Sequence, residues 1–120
     1  MKLTLNNYAP ISNNKAQRMH WTKRMKAKEE IFWLIKEAIG GRWHGKPYEE
    51  AKVHCDIYLS TNRAYDRDNF WGGSGKWILD LLKHEGIIFD DSHQYVVLSE
   101  AFYKDKGNPR IEVIVEKLER

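Results

Sequence analysis

Apolar and polar positions change period several times along the chain, and each change predicts an element. Leu3-Thr4-Leu5 alternates with period two and predicts a first strand. Residues 8–19 hold Pro10 and the cluster Ser12-Asn13-Asn14, which predicts a polar, mobile loop. From Thr22 to Ile39, Met25, Ile31, Phe32, Leu34, Ile35, Ala38 and Ile39 recur at helical spacing, and Gly40-Gly41 ends that run. Val53, Cys55, Ile57 and Leu59 alternate with polar residues, as in a strand with one buried face. A polar loop from Thr61 to Asp68 follows. Trp77, Ile78, Leu81 and Leu82 then predict a second helix with Gly86 as its stop. Its start falls either at Asn69 or after Gly75, because Gly72-Gly73-Ser74-Gly75 is poor helix material. Tyr95–Tyr103 and Ile111-Val113-Val115 predict two last strands joined by a turn at Lys106-Gly107-Asn108-Pro109. The expectation is one small α+β domain over residues 1–120, in the order β-α-β-α-β-β, with helices packed on a mixed four-stranded sheet.

Composition narrows this picture. A chain of 120 residues with 42% hydrophobic positions fills one core and has no repeat or linker that asks for a second. The single Cys55 excludes an internal disulfide and a multi-cysteine zinc site, and its place in a strand predicts a buried, inert thiol. No apolar run approaches the roughly 20 residues that span a bilayer, and Met1-Lys2 leads into only a short apolar alternation. The expectation is a cytoplasmic protein with no membrane partner.

Charge is distributed unevenly. Residues 1–47 hold ten Lys/Arg against three Asp/Glu, and residues 48–120 hold ten against fourteen. A basic half attracts phosphate polyanions, and bound divalent cations would let the acidic half face the same partner. Lys15, Arg18, His20, Lys23, Arg24, Lys26 and Lys28 gather around the start of the first long helix, where anions are favoured. They read either as a phosphate-binding face or as a solvated helix surface. Tyr8 and Trp21 are candidates for stacking on unpaired bases, although Trp21 is expected to tuck into the core.

Two acidic pairs carry candidate chemistry: Asp66-Arg67-Asp68-Asn69 after a strand, and Asp90-Asp91 after a helix. In an extended segment Asp66 and Asp68 point to one side and can converge on one ion. Mg²⁺ takes hard oxygen ligands from a few carboxylates, waters and substrate phosphates, and can polarise a phosphodiester. The same aspartates also suit turns and helix caps. A calcium EF-hand is excluded, because Phe70 and Trp71 stand where a ligand and the turn glycine belong. Gly72-Gly73-Ser74-Gly75-Lys76 is not a nucleotide phosphate loop, since Phe70 replaces its first glycine and Trp77 its Ser/Thr. Lys76 reads as a point cation beside a phosphate or as a solvated helix lysine. His84 and His93 flank the acidic elements and read as surface residues.

Taken in order, Tyr65-Asp66-Arg67-Asp68-Asn69, Lys76 with Asp80-Leu81-Leu82, Gly86, and Asp90-Asp91 resemble the signature of the RusA family of Holliday-junction resolvases. That signature runs D-x-D-N, K-x-x-x-D-x-L, G-x-x-x-D-D. Ala9-Pro10-Ile11-Ser12-Asn13-Asn14 is similar to the Pro-Ser-Asn-Asn segment that opens these proteins. The resemblance implies a homodimeric, Mg²⁺-dependent endonuclease, often phage- or prophage-borne, that resolves four-way DNA junctions in recombination and repair, with Mn²⁺ able to substitute. It implies Asp66, Asp68 and Asp91 as catalytic metal ligands, Asp90 beside them, and Lys76 as the functional lysine. It also adds Asn13 and Asn14 to Lys15, Arg18, Lys23, Arg24 and Lys26 as DNA contacts. Two features depart from the family: the Gly72–Gly75 run lengthens the spacer before Lys76, and Glu100-Ala101-Phe102 stands where a basic residue is common. Two rival readings are a non-catalytic branched-DNA-binding protein and a metal-dependent nuclease acting on flaps or forks.

Overall fold

The computed structural model describes residues 1–61 and 67–119. Four strands, β1 (Lys2–Asn6), β2 (Ala51–Leu59), β3 (Val96–Lys104) and β4 (Arg110–Lys117), form one mixed sheet in the order β1-β4-β2-β3. β4 runs antiparallel to both β1 and β2, whereas β2 and β3 are parallel. A parallel pair needs a crossover rather than a hairpin, and α3 (Arg67–Gly72) with α4 (Ser74–His84) lies in that connection. The α+β fold expected from the pattern is the observed one, with two more helices than expected.

Both extra helices arise where local chemistry outweighed a weak apolar pattern. The polar segment expected to be a loop contains α1 (Asn13–Arg18), whose start is capped by the Ser12 side chain accepting from the Lys15 backbone N–H at 3.1 Å. The second expected helix is two, α3 and α4, broken at Gly73. The long helix α2 spans Trp21–Ala38, one residue from its expected bounds at each end.

The alternation in the strands sets the core. Leu3 and Leu5 of β1, Val113 and Ile111 of β4, and Cys55 and Ile57 of β2 stand in register on one face. Ile31 and Ile35 of α2, Phe70 of α3 and Ile78 and Leu82 of α4 complete the same buried cluster. Cys55 is fully buried as expected, and burial pushes its thiol pKa far up, which removes thiolate reactivity.

The opposite sheet face carries a polar lattice. Glu112, only 6% exposed, pairs with Lys2 and with Arg110, whose guanidinium lies 3.7 Å over the Tyr58 ring. Tyr58 in turn stacks on Tyr103 at 4.9 Å. The bond from Lys2, aided by both cations, holds the Glu112 carboxyl below its ordinary range. A depressed carboxyl pKa adds stability above the unfolded-state value and loses it as pH falls through the folded value. Glu112→Gln is therefore expected to cost about 1–2 kcal/mol at pH 7. Its stability should also respond less to acid below about pH 4.5 than that of the parent chain, as urea melts across pH 3–7 would show.

Candidate functional site

The glycine–serine run that resembled a phosphate loop is a packing seat for the N-terminal segment. Ser74 is fully buried; its Oγ accepts from the Ile11 N–H at 2.7 Å and shares a 2.7 Å bond with the Tyr8 hydroxyl. The Ser74 N–H donates to the Ile11 carbonyl at 2.9 Å. A methyl group on Gly73 would meet that carbonyl oxygen at 2.1 Å, so only glycine permits this approach. A methyl on Gly72 would meet the Asn13 side chain at 2.9 Å. The seat joins the segment leading to Asn13, Asn14, Lys15 and Arg18 to the start of α4, two residues before Lys76.

Along α4, Lys76 and Asp80 are four residues apart and share one helix face. After α4, Gly86 turns the chain with φ +75, a conformation that favours glycine. The Ile87 N–H then donates to the Leu82 carbonyl at 2.9 Å. This return brings Asp91 near enough to Asp80 for its carboxylate to influence that residue's ionisation. Partial burial, then the nearby Asp91 carboxylate, raises the Asp80 pKa, while Lys76 and Lys28 oppose the shift. Lys28 reaches this place from α2, its Nζ 5.8 Å from the centre of the Trp77 ring. Asp80 thus lies within electrostatic reach of Asp91, Lys76 and Lys28, groups that come from three segments.

Asp90 is engaged differently. Its Oδ1 accepts from the Asp91 backbone N–H at 2.8 Å and lies 3.3 Å from Lys83 Nζ, which is also 3.7 Å from Asp91. The Asp91 N–H, with further help from Lys83, lowers the Asp90 pKa. Asp90 serves the turn that presents Asp91.

Asp66 lies outside the described residues. Asp68 sits exposed in the first turn of α3, so the extended geometry expected at this residue is replaced by a helix starting at Arg67. Arg67 turns to the sheet instead: its Nε lies 3.0 Å from Glu100 Oε1 and one Nη donates to the Leu98 carbonyl at 2.8 Å. Trp71 Nε1 also donates to Glu100, at 2.8 Å. Glu100 therefore anchors α3 to β3. Among the described residues, no group of three or more His, Cys, Asp or Glu is arranged to hold a metal ion. Asp80 was legible only as part of the K-x-x-x-D-x-L run; its sequence signal was the i, i+4 spacing from Lys76.

On the basic side, residues 1–28 contain no acidic residue. Lys15, Arg18, Lys23 and Lys26 are exposed, and Arg24 is half-buried with an Nη donating to the Met19 carbonyl at 3.4 Å. Arg18 Nε donates to the Asn14 carbonyl at 3.2 Å. Trp21, expected in the core, is 63% exposed beside these cations, because it opens α2 before the helix reaches the sheet. Among the described residues no helix is long and apolar enough to cross a membrane.

No model of a known protein family matches this chain, and no curated protein matches it.

Proposed function

We propose that this protein is a divalent-cation-dependent, structure-selective DNA endonuclease that resolves four-way junctions, working as a homodimer in the cytoplasm. The observation that carries the reading is the return of the chain after Gly86, which brings Asp91 near enough to Asp80 to influence its ionisation, with Lys76 on the same helix face as Asp80. The ordered resemblance to the RusA signature supports it from the sequence.

A pair of neighbouring carboxylates is a donor set that Mg²⁺ would accept. Crowded hard-oxygen carboxylates repel when both are ionised, and one or two of them with waters and phosphate oxygens suffice for this ion. Asp91 and Asp80 would hold the cation, with Asp66 and Asp68 as the further ligands that the resemblance implies. When bound, it would supply Lewis-acid polarisation of the phosphodiester and offset charge on the leaving oxygen. Lys76 and Lys28 act on the substrate side, attracting phosphate oxygens and orienting the strand. Asp90, held by the Asp91 N–H and Lys83, keeps Asp91 in position. A four-way junction needs two incisions, and a two-fold dimer supplies two such sites.

The test is cleavage of a synthetic four-way junction against linear duplex of the same sequence, with Mg²⁺ or Mn²⁺. Faster cutting of the junction is expected. Binding without cutting under both metals would favour the non-catalytic DNA-binding reading, and equal cutting of flaps, forks and junctions would favour the broader nuclease.

The exposed cations of α1 and α2 give a separate expectation. Lys23→Ala with Lys26→Ala should weaken junction binding for all sequences alike. The slope of log affinity against log salt should fall by about 1 for each lost phosphate contact. An unchanged slope in a salt titration would remove this face from the interface.

A further inference from the structure

A cavity of about 960 Å³ opens where β2 and β3 begin and β4 ends, with Pro47, Phe89, Tyr95 and Leu118 among its walls. Phe89 is 58% exposed, so the core does not require its ring. Its place is nevertheless fixed. The Phe89 N–H donates to the Tyr48 carbonyl at 3.0 Å, the Tyr48 N–H donates to the Ile87 carbonyl at 2.8 Å, and Tyr95 meets the Phe89 ring edge-on at 5.4 Å. A rigid, uncovered aromatic ring presents a flat apolar surface at low ordering cost. Phe89 is two residues from Asp91, so their Cα atoms are less than about 8 Å apart.

We propose that this cavity is a nucleobase pocket, taking an unstacked base of a single DNA strand on the Phe89 ring. The choice of a DNA base as occupant rests on the endonuclease reading, because the strand passing Asp91 runs within a nucleotide or two of Phe89. Wall chemistry agrees with that occupant. Lys46 and Lys117 line the cavity and complement flanking phosphates, whereas Glu49 and Glu50 make the wall charge-balanced. Such a wall suits a base with exocyclic amino groups better than it suits duplex backbone, which needs a net basic surface. Bases at a branch point are the ones free to leave the stack, and the pocket gives the site a means of sensing them.

The experiment measures binding in EDTA, without metal or cleavage, to a short single-stranded oligodeoxyadenylate carrying one 2-aminopurine. The same strand with an abasic position is the comparison. The parent chain should quench or shift the 2-aminopurine emission and bind the abasic strand more weakly. Phe89→Ala should weaken binding of the base-bearing strand about 5- to 150-fold, the worth of one stacked base. Phe89→Trp should retain it. Because residue 89 is exposed, both variants should keep the parent's thermal midpoint. Equal affinity for the two strands would overturn the pocket. So would an unchanged affinity in Phe89→Ala, including the case where that variant instead dissociates a dimer and the ring proves to be a self-association contact. Base-dependent binding that needs Phe89, in a protein that cuts no DNA, would uphold the pocket and remove the endonuclease reading.

Discussion

Asp91→Asn is expected to lower junction cleavage by about 10³-fold or more while leaving junction binding in place. The substitution keeps the shape of the side chain and its place after the Gly86 turn, so the fold has no reason to change. It removes a charged oxygen near enough to Asp80 to raise that residue's pKa. A divalent cation contributes several kcal/mol to a phosphodiester transition state, and each 1.36 kcal/mol is tenfold in rate. On the proposed reading, binding rests on the basic surface and the variant loses no cation, so affinity measured without metal should hold or rise. Asp80→Asn should behave the same way. A second readout is independent of activity: Mg²⁺ should raise the thermal midpoint of the parent chain by relieving carboxylate repulsion. Either variant should reduce that gain. Full cleavage by Asp91→Asn would remove the metal site from the reaction.

Gly73→Ala is expected to destabilise the whole domain by about 3 kcal/mol or more, roughly 12 °C in Tm. The new methyl would lie 2.1 Å from the Ile11 carbonyl oxygen and 2.7 Å from the Ser12 carbonyl carbon, both backbone atoms. Neither can move without breaking the bonds that join Ile11 to the buried Ser74. Gly72→Ala is the milder comparison, because its methyl meets only the Asn13 side chain: Cγ at 2.9 Å can rotate away, and Cβ at 3.0 Å needs to give by a few tenths of an ångström. A thermal melt that ranks the two variants equally would show that the N-terminal segment is not seated on this run in solution. The prediction bears on function as well, since this seat joins α1 and its cations to the helix that carries Lys76 and Asp80.

What the sequence determined by itself was whatever depends on period. Alternation in Val53-Cys55-Ile57-Leu59 and Ile111-Val113-Val115 specified strands with one buried face, and helical spacing from Met25 to Ile39 specified α2, because burying an apolar face allows few other solutions. The basic character of residues 1–28 was equally plain, and so were the two acidic pairs. Tertiary structure decided matters in which partners distant along the chain compete for the same residue. Gly72–Gly75 looked like poor helix or a failed phosphate loop, and only the approach of Ile11 explains its glycines. Trp21 looked like core by its type, yet its position ahead of the sheet leaves it in solvent. Asp68 looked extended, and the helix beginning at Arg67, tied to Glu100, took it instead. The approach of Asp91 to Asp80 depended on the turn at Gly86, a chain reversal that helical periodicity does not encode. Periodicity reports which face of an element is buried; which side chains then converge is set by how the elements return on one another in three dimensions.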